Sequence, residues 1–357
     1  MDCAQIRERR GEVSTGWCSI VGAPRCGTTS LARYLGGHPD VCPANVKEPH
    51  YFSRRDFRAV PAEKCKRLVK EEYLEHFFPG RVPGAMLLDG SVSYLYAPER
   101  LQPALSAWPD AKFIIAVRNP LEMLPSLHQR HFCNGDEDVS DFERAWSLVG
   151  ERRHGRRIPR TCVDLRLLDY EEIGRLGKYV RKFFDVVGRE RCFVSVFDDL
   201  ADEPAAHYSR ILEFLGLPPD RRDDYFPYRA STGIRSPLLQ RLLKRPPVAR
   251  KLLSSESALR RDGIAVRNGL GTLAGVPSLK ALRKQLLKWN RTTAPPRVLS
   301  PRLRACVCDA LAEDVANLSA LLERDLSHWL TPEAPLPTIG GESPPPPEMQ
   351  LRKAGRL

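Results

Sequence analysis

Apolar residues along this chain gather into short runs separated by polar or glycine-containing stretches. Lys112–Val117 (KFIIAV) is the clearest. Its apolar residues follow one another without alternation, as in a strand covered on both faces. Trp17–Val21, Met86–Leu88 running into Asp89, and Cys192–Phe197 predict three more strands, and Val41-Cys42 a short further one. Between them the spacing turns helical. Leu31, Ala32 and Leu35 follow Thr28 and stop at Gly36-Gly37, and Lys64–Phe78 stops at Pro79-Gly80. Leu165–Phe184 and Pro204–Leu215 predict helices too, as does a segment from Leu121. Arg302–Trp329 carries Leu303, Val307, Leu311, Val315, Leu318 and Leu322 on one stripe, which predicts a helix packed on the core. Strands alternating with helices predict an α/β fold: three layers, with a central, mostly parallel sheet and helices on both faces.

This pattern fills one domain, about residues 16–330, of the 357. Residues 1–15 predict a flexible lead. The Pro-rich stretch 331–357, with Pro344–Pro347, predicts a disordered tail because it cannot build a core. Met1–Arg10 is polar and charged with no apolar run behind it, so no signal peptide is expected, and no stretch is long enough to span a bilayer. The ten cysteines include no CxxC pair, which argues against zinc and against a disulfide framework. Cys306 and Cys308, on a predicted helix, are expected to fill the core. A reducing, cytoplasmic setting is the expectation. The net charge of +12 favours anionic partners.

The chemistry concentrates first in Gly22–Ser30 (GAPRCGTTS), between the first strand and the first helix. A glycine-bounded loop there converges backbone N–H groups on a helix N-terminus, which suits an anion. The loop has the length of a P-loop, making the fold P-loop-like, but Thr28 and Thr29 stand where a nucleoside-triphosphatase needs Lys and Ser/Thr. Its positive charge sits inside the loop at Arg25, suited to a fixed contact with a phosphate or sulfate oxygen.

A second constellation follows the central strand. Arg118-Asn119-Pro120 ends it, and Ser126 lies in the next helix. Arginine at the carboxyl end of a parallel strand faces the crevice where open α/β sheets bind ligands. With a hydroxyl it makes a sensible pair for a terminal phosphate. Between the two, Lys47-Glu48-Pro49-His50-Tyr51-Phe52 sets a carboxylate in extended backbone before proline, with two aromatics to anchor it. Glu48 could act as a general base, His50 is a fallback base, and Lys47 a lesser partner. Ser91, Ser93 and Tyr94, after the strand ending at Asp89, read equally as lining for the substrate cleft or as hydrogen-bonding groups that finish the strand end. The basic run Arg152, Arg153, His154, Arg156, Arg157 and Arg160 reads most simply as a solvated loop, with a face toward an anionic acceptor as the alternative.

GAPRCGTTSL together with R-N-P-x5-S resembles the sulfotransferase family. The resemblance implies 3′-phosphoadenosine 5′-phosphosulfate (PAPS) as sulfuryl donor, without a metal. It implies that Arg25, Cys26, Gly27, Thr28, Thr29 and Ser30 cradle the 5′-phosphosulfate and that Arg118 and Ser126 grip the 3′-phosphate. A late loop around Tyr228–Leu239, with Ser231–Gly233 and Arg235, would clamp the nucleotide. Glu48 corresponds to the base of heparan-type members, and Lys47, His50, Ser91 and Tyr94 would meet a saccharide-like acceptor. Gly90 and Val92 replace the Lys and Pro of heparan-type enzymes, which weakens heparan specificity. Alternatives are a small-molecule P-loop kinase, a lipid or metabolite acceptor, and a non-catalytic polyanion binder; nucleic acid is not an expected partner. The basic, leucine-rich stretch 240–291 reads as surface helices, as a cover for the acceptor site, or as a contact with an anionic membrane surface.

Overall fold

A computed structural model of the chain describes residues 16–162, 164–225, 232–244, 276–293 and 299–330. The predicted lead and tail, Ser231, and most of the 240–291 stretch lie outside the described residues.

Five strands form the sheet: β1 (Trp17–Gly22), β2 (Val41–Pro43), β3 (Met86–Asp89), β4 (Lys112–Val117) and β5 (Cys192–Val196). Their order is β2-β3-β1-β4-β5, and every neighbouring pair is parallel. β1 is buried along its whole length and β4 at all but Lys112, which is why neither alternates. The fold is thus α/β, with a parallel sheet flanked by helices. β1 lies between β3 and β4, and the chain leaves β1 toward β2 but leaves β4 toward β5, in opposite directions across the sheet. The loops after β1, β3 and β4 therefore open on one edge, beside a topological switch point.

The helices are α1 (Thr28–Gly36), α2 (Tyr51–Arg54), α3 (Ala62–Leu68), α4 (Glu75–Phe77), α5 (Gln102–Ala107), α6 (Pro120–Asn134), α7 (Phe142–Ser147), α8 (Val149–Arg153), α9 (Tyr170–Gly174), α10 (Leu176–Val187), α11 (Phe197–Asp202), α12 (Pro204–Leu215), α13 (Pro237–Lys244), α14 (Val276–Trp289) and α15 (Pro301–Leu322). A two-stranded antiparallel ribbon, β6 (Thr232–Ile234) with β7 (Arg291–Thr293), carries α13 and α14. It docks on α6 through Gln240, whose Nε2 donates to the Cys133 carbonyl at 2.7 Å, while Asn290 Nδ2 donates to Gln240 Oε1 at 3.0 Å.

Four expectations need correction. The helix expected over 165–184 is three pieces. Asp164 caps a 3-10 turn (Leu165–Leu168), Asp169 caps α9 inside the stretch, and α10 restarts after Arg175 without a side-chain cap. The helix expected over 302–329 ends at Leu322, where Glu323 turns left-handed at φ 51°; Trp329 is buried from a separate 3-10 turn. The predicted stripe packs on the core, with Leu303, Val307, Leu311, Val315 and Leu318 buried and Leu322 partly so. Cys306 is exposed, because its position on α15 faces away from that stripe.

The fourth concerns the basic run, which is not uniformly solvated. Arg152 is 1% exposed and forks onto Glu137, with Nη1–Oε2 and Nη2–Oε1 both 2.7 Å. Tyr170 donates to Glu137 Oε2 at 2.8 Å, and the Asp138 and Val139 amides donate to Oε1 at 2.9 and 3.0 Å. A fully satisfied carboxylate is what lets one arginine of the run be buried.

Candidate active site

The loop after β1 is forced into shape by close packing. At Gly22 (φ 139°) an added Cβ would lie 2.5 Å from the Ala116 backbone of β4. At Gly27 (φ 79°) it would lie 2.7 Å from Leu200 Cδ2. Gly27 starts α1, and no side chain caps that helix, so its first N–H groups face the loop. Arg25 is also left-handed, at φ 73°, a conformation rare for a residue with a side chain. It turns the guanidinium across to α6, where Nε donates to Ser126 Oγ at 2.8 Å.

Arg118 follows β4 directly and closes the bracket from the other side. Its Nη1 donates to the Arg25 carbonyl at 3.2 Å. Its guanidinium carbon stands 4.0 Å over the Phe197 ring, and Nη2 and Nε donate to Glu122 Oε2 at 2.6 and 3.0 Å. The β4–β5 register pairs Val117 with Val196, so Arg118 and Phe197, the next residues, are side by side. Asn119 caps α6 by accepting from the Leu121 amide at 2.9 Å. The two motifs, 93 residues apart, thus meet in one place. Uncapped amides, two arginines and a hydroxyl fit a doubly anionic ligand. Cys26 is fully buried, and burial pushes its thiol up to about 12, so it is an inert part of the wall.

Glu48 sits beyond β2 in a group of its own. Lys47 Nζ reaches Glu48 Oε1 at 2.5 Å, and His50 Nε2 lies 3.4 Å from Oε2. Burial would raise this carboxyl, but the His50 hydrogen bond and the Lys47 charge outweigh it and hold it well below the usual carboxylate range. His50 is left-handed, at φ 55°, and is held at both ends. Its amide donates to Ser91 Oγ at 2.7 Å, and its Nδ1 is 2.7 Å from Ser93 Oγ, itself 2.6 Å from Ser53 Oγ. Gly90 lets this segment approach β3, since a Cβ there would lie 2.6 Å from the Lys47 carbonyl.

Two residues expected in a substrate cleft are instead sealed. Ser91 and Tyr94 are both 0% exposed. Tyr94 donates to Asp89 Oδ2 at 3.0 Å, and the Ser91 amide donates to Asp89 Oδ1 at 2.9 Å. Their hydroxyls are spent on holding the chain: Ser91 Oγ accepts from the His50 amide, and the Tyr94 hydroxyl bonds Asp89 and the Phe52 amide. Arg235 lies on the β6–β7 unit, its guanidinium 5.3 Å from the exposed Trp289 ring. Among the described residues there is no group of three His, Cys, Asp or Glu side chains that could hold a metal.

Sequence reading missed Glu122, Phe197 and Asp89. Glu122 had a signal, an opposite charge four residues after Arg118. Phe197 had none, because its role depends on which strand lies beside β4.

A model of the sulfotransferase family matches residues 19–221. Carbohydrate sulfotransferase 15 of Mus musculus is 22% identical over 280 residues, covering 66% of this chain and 50% of that protein. Heparan sulfate glucosamine 3-O-sulfotransferase 6 of Homo sapiens is 26% identical over 228 residues, covering 60% and 56%. The chain spans about half the length of the curated relatives it matches. A sulfotransferase of Alicyclobacillus acidocaldarius, known from its crystal structure, is similar with a TM-score of 0.58 and 25% identity, covering 89% of this chain and 99% of that one.

Proposed function

The chain belongs to the sulfotransferase family, and from that premise we propose that it transfers a sulfuryl group from PAPS to a hydroxyl, or an amine, of a saccharide-like acceptor. One observation carries the reading. The Arg25–Ser126 and Arg118–Arg25 contacts join the loop after β1 to the start of α6, leaving one bracket for both charged ends of the donor.

In this reading the amides from Cys26 to Thr29 and the Arg25 guanidinium hold the 5′-phosphosulfate. Arg25 also offsets the charge that builds on the bridging oxygen as the sulfuryl group leaves. Arg118 and Ser126 hold the 3′-phosphate. Glu48 takes the acceptor's proton. Lys47 and His50 keep it ionised at neutral pH but also lower its basicity, so the acceptor hydroxyl must take over one of those contacts before transfer. Positioning and charge supply most of the rate. The residues that would hold the donor include no metal ligand set. The saccharide class rests on the two carbohydrate-acting relatives.

The test is to incubate the protein with labelled PAPS and a panel of glycans, lipids and small hydroxyl compounds, and to measure sulfated product. In parallel, calorimetry with adenosine 3′,5′-bisphosphate in a metal chelator should give binding. Label appearing on no acceptor, together with Mg²⁺-dependent ATP turnover, would replace this reading with a kinase.

A further inference from the structure

A carboxylate is an unexpected neighbour for a site that takes anions, yet Glu122 is placed in the middle of this one. Its Oε2 receives two N–H groups of Arg118, at 2.6 and 3.0 Å, with the two side chains only 20% and 15% exposed. A third Arg118 N–H goes to the Arg25 carbonyl, and the Phe197 ring covers the guanidinium face. Of the five N–H groups a guanidinium carries, two remain to meet a ligand. An incoming phosphate therefore shares one guanidinium with a fixed negative charge.

We infer that Glu122 has two opposed effects on the nucleotide: it positions Arg118, and its charge limits how tightly the phosphate is held. The inference rests on the proposed function, since it takes Arg118 as a contact of the donor's 3′-phosphate. The chemistry gives the second effect a use. Donor and spent nucleotide carry the same 3′-phosphate, so every contact to it that helps the donor bind also retards release of the product. Binding that is equal before and after transfer does not speed turnover. A counter-charge built into the pocket weakens both and keeps the arginine oriented while the site is empty.

The two effects separate by substitution. Glu122→Gln keeps an oxygen that can accept from Arg118 but removes the charge. Glu122→Ala removes both. Binding of adenosine 3′,5′-bisphosphate to the full chain is measured by calorimetry at several salt concentrations, with thermal melting to check the fold. Glu122→Gln is expected to bind about tenfold tighter than the parent, the size of one part-screened charge pair at close range, and with a steeper loss of affinity in salt. Glu122→Ala is expected to bind more weakly than Glu122→Gln. In steady state Glu122→Gln should lower both donor KM and kcat. Affinity of Glu122→Gln equal to or below the parent's overturns the counter-charge, and equal affinities for the two variants overturn the positioning. Failure of the parent chain to bind the bisphosphate would instead overturn the sulfuryl-transfer reading itself.

Discussion

Arg152→Met tests how the fold tolerates a charge in its interior. The parent arginine forks onto Glu137, which also accepts from Tyr170 and from two backbone amides. The substitution keeps most of the volume and removes the only cation of the group. Removing one member of a buried pair costs ~3–5 kcal/mol, because the other charge is left in a poor solvent. At roughly 2–4 °C per kcal/mol for a mid-sized domain, the melting point should fall by on the order of 10 °C at pH 7.5. The pH dependence gives the sharper check. In the parent, burial raises the Glu137 carboxyl, but the Arg152 and Val139 contacts outweigh it and the net direction is down. A group lowered by folding contributes stability above its unfolded value and loses it as pH falls. Without Arg152 the largest lowering contact is gone, so the carboxyl moves upward relative to the parent. Glu137 then takes a proton more readily in the fold, so the variant should lose less stability than the parent as pH drops toward 5. Paired melts at pH 7.5 and 5 decide it. A loss under about 1 kcal/mol, or a difference that does not narrow with acid, would refute the reasoning.

Other outcomes follow from the site. Arg118→Ala should raise donor KM roughly ten- to hundredfold, the worth of charge-assisted bonds to one phosphate, with a smaller change in kcat, read by initial rates. Glu48→Gln should lower kcat by about 10²–10⁴ while leaving donor KM near the parent's; full turnover would point to His50 as the base. Since Glu48 is held below the ordinary carboxylate range, and a lowered group keeps its charge until acid reaches its folded value, its ionisation should place no acid limb in kcat/KM between pH 5 and 8. Lys47→Met should bring that limb upward. Gly27→Ala would force a side chain at φ 79° against Leu200, and should abolish bisphosphate binding and lower the melting point, measured by calorimetry and thermal shift.

The strands were legible because burial on two faces leaves an uninterrupted apolar run, as in Lys112–Val117. The loop and the R-N-P turn were legible because each is local: a few adjacent residues define them. What could not be read was proximity. Nothing in the chain says that Phe197 stands beneath Arg118 until β5 is known to pair with β4. Burial was the other hidden quantity. Arg152 is one of several basic residues in its run, and only the partner across a 15-residue separation distinguishes it. Ser91 and Tyr94 stayed open between cleft and strand-end bonding for the same reason: their hydroxyls face His50 and Asp89 from within, and sequence does not show which side of a segment meets water.

Arg25 and His50 share one further property, for both hold a left-handed backbone that side chains disfavour by roughly 1–2 kcal/mol. Glycine at either place would relax the chain. A laboratory selection for heat resistance alone would thus be drawn to the very positions on which turnover is proposed to depend. Variants gained that way should survive hotter and work worse, so an engineer of this scaffold would do well to freeze codons 25 and 50 before searching elsewhere.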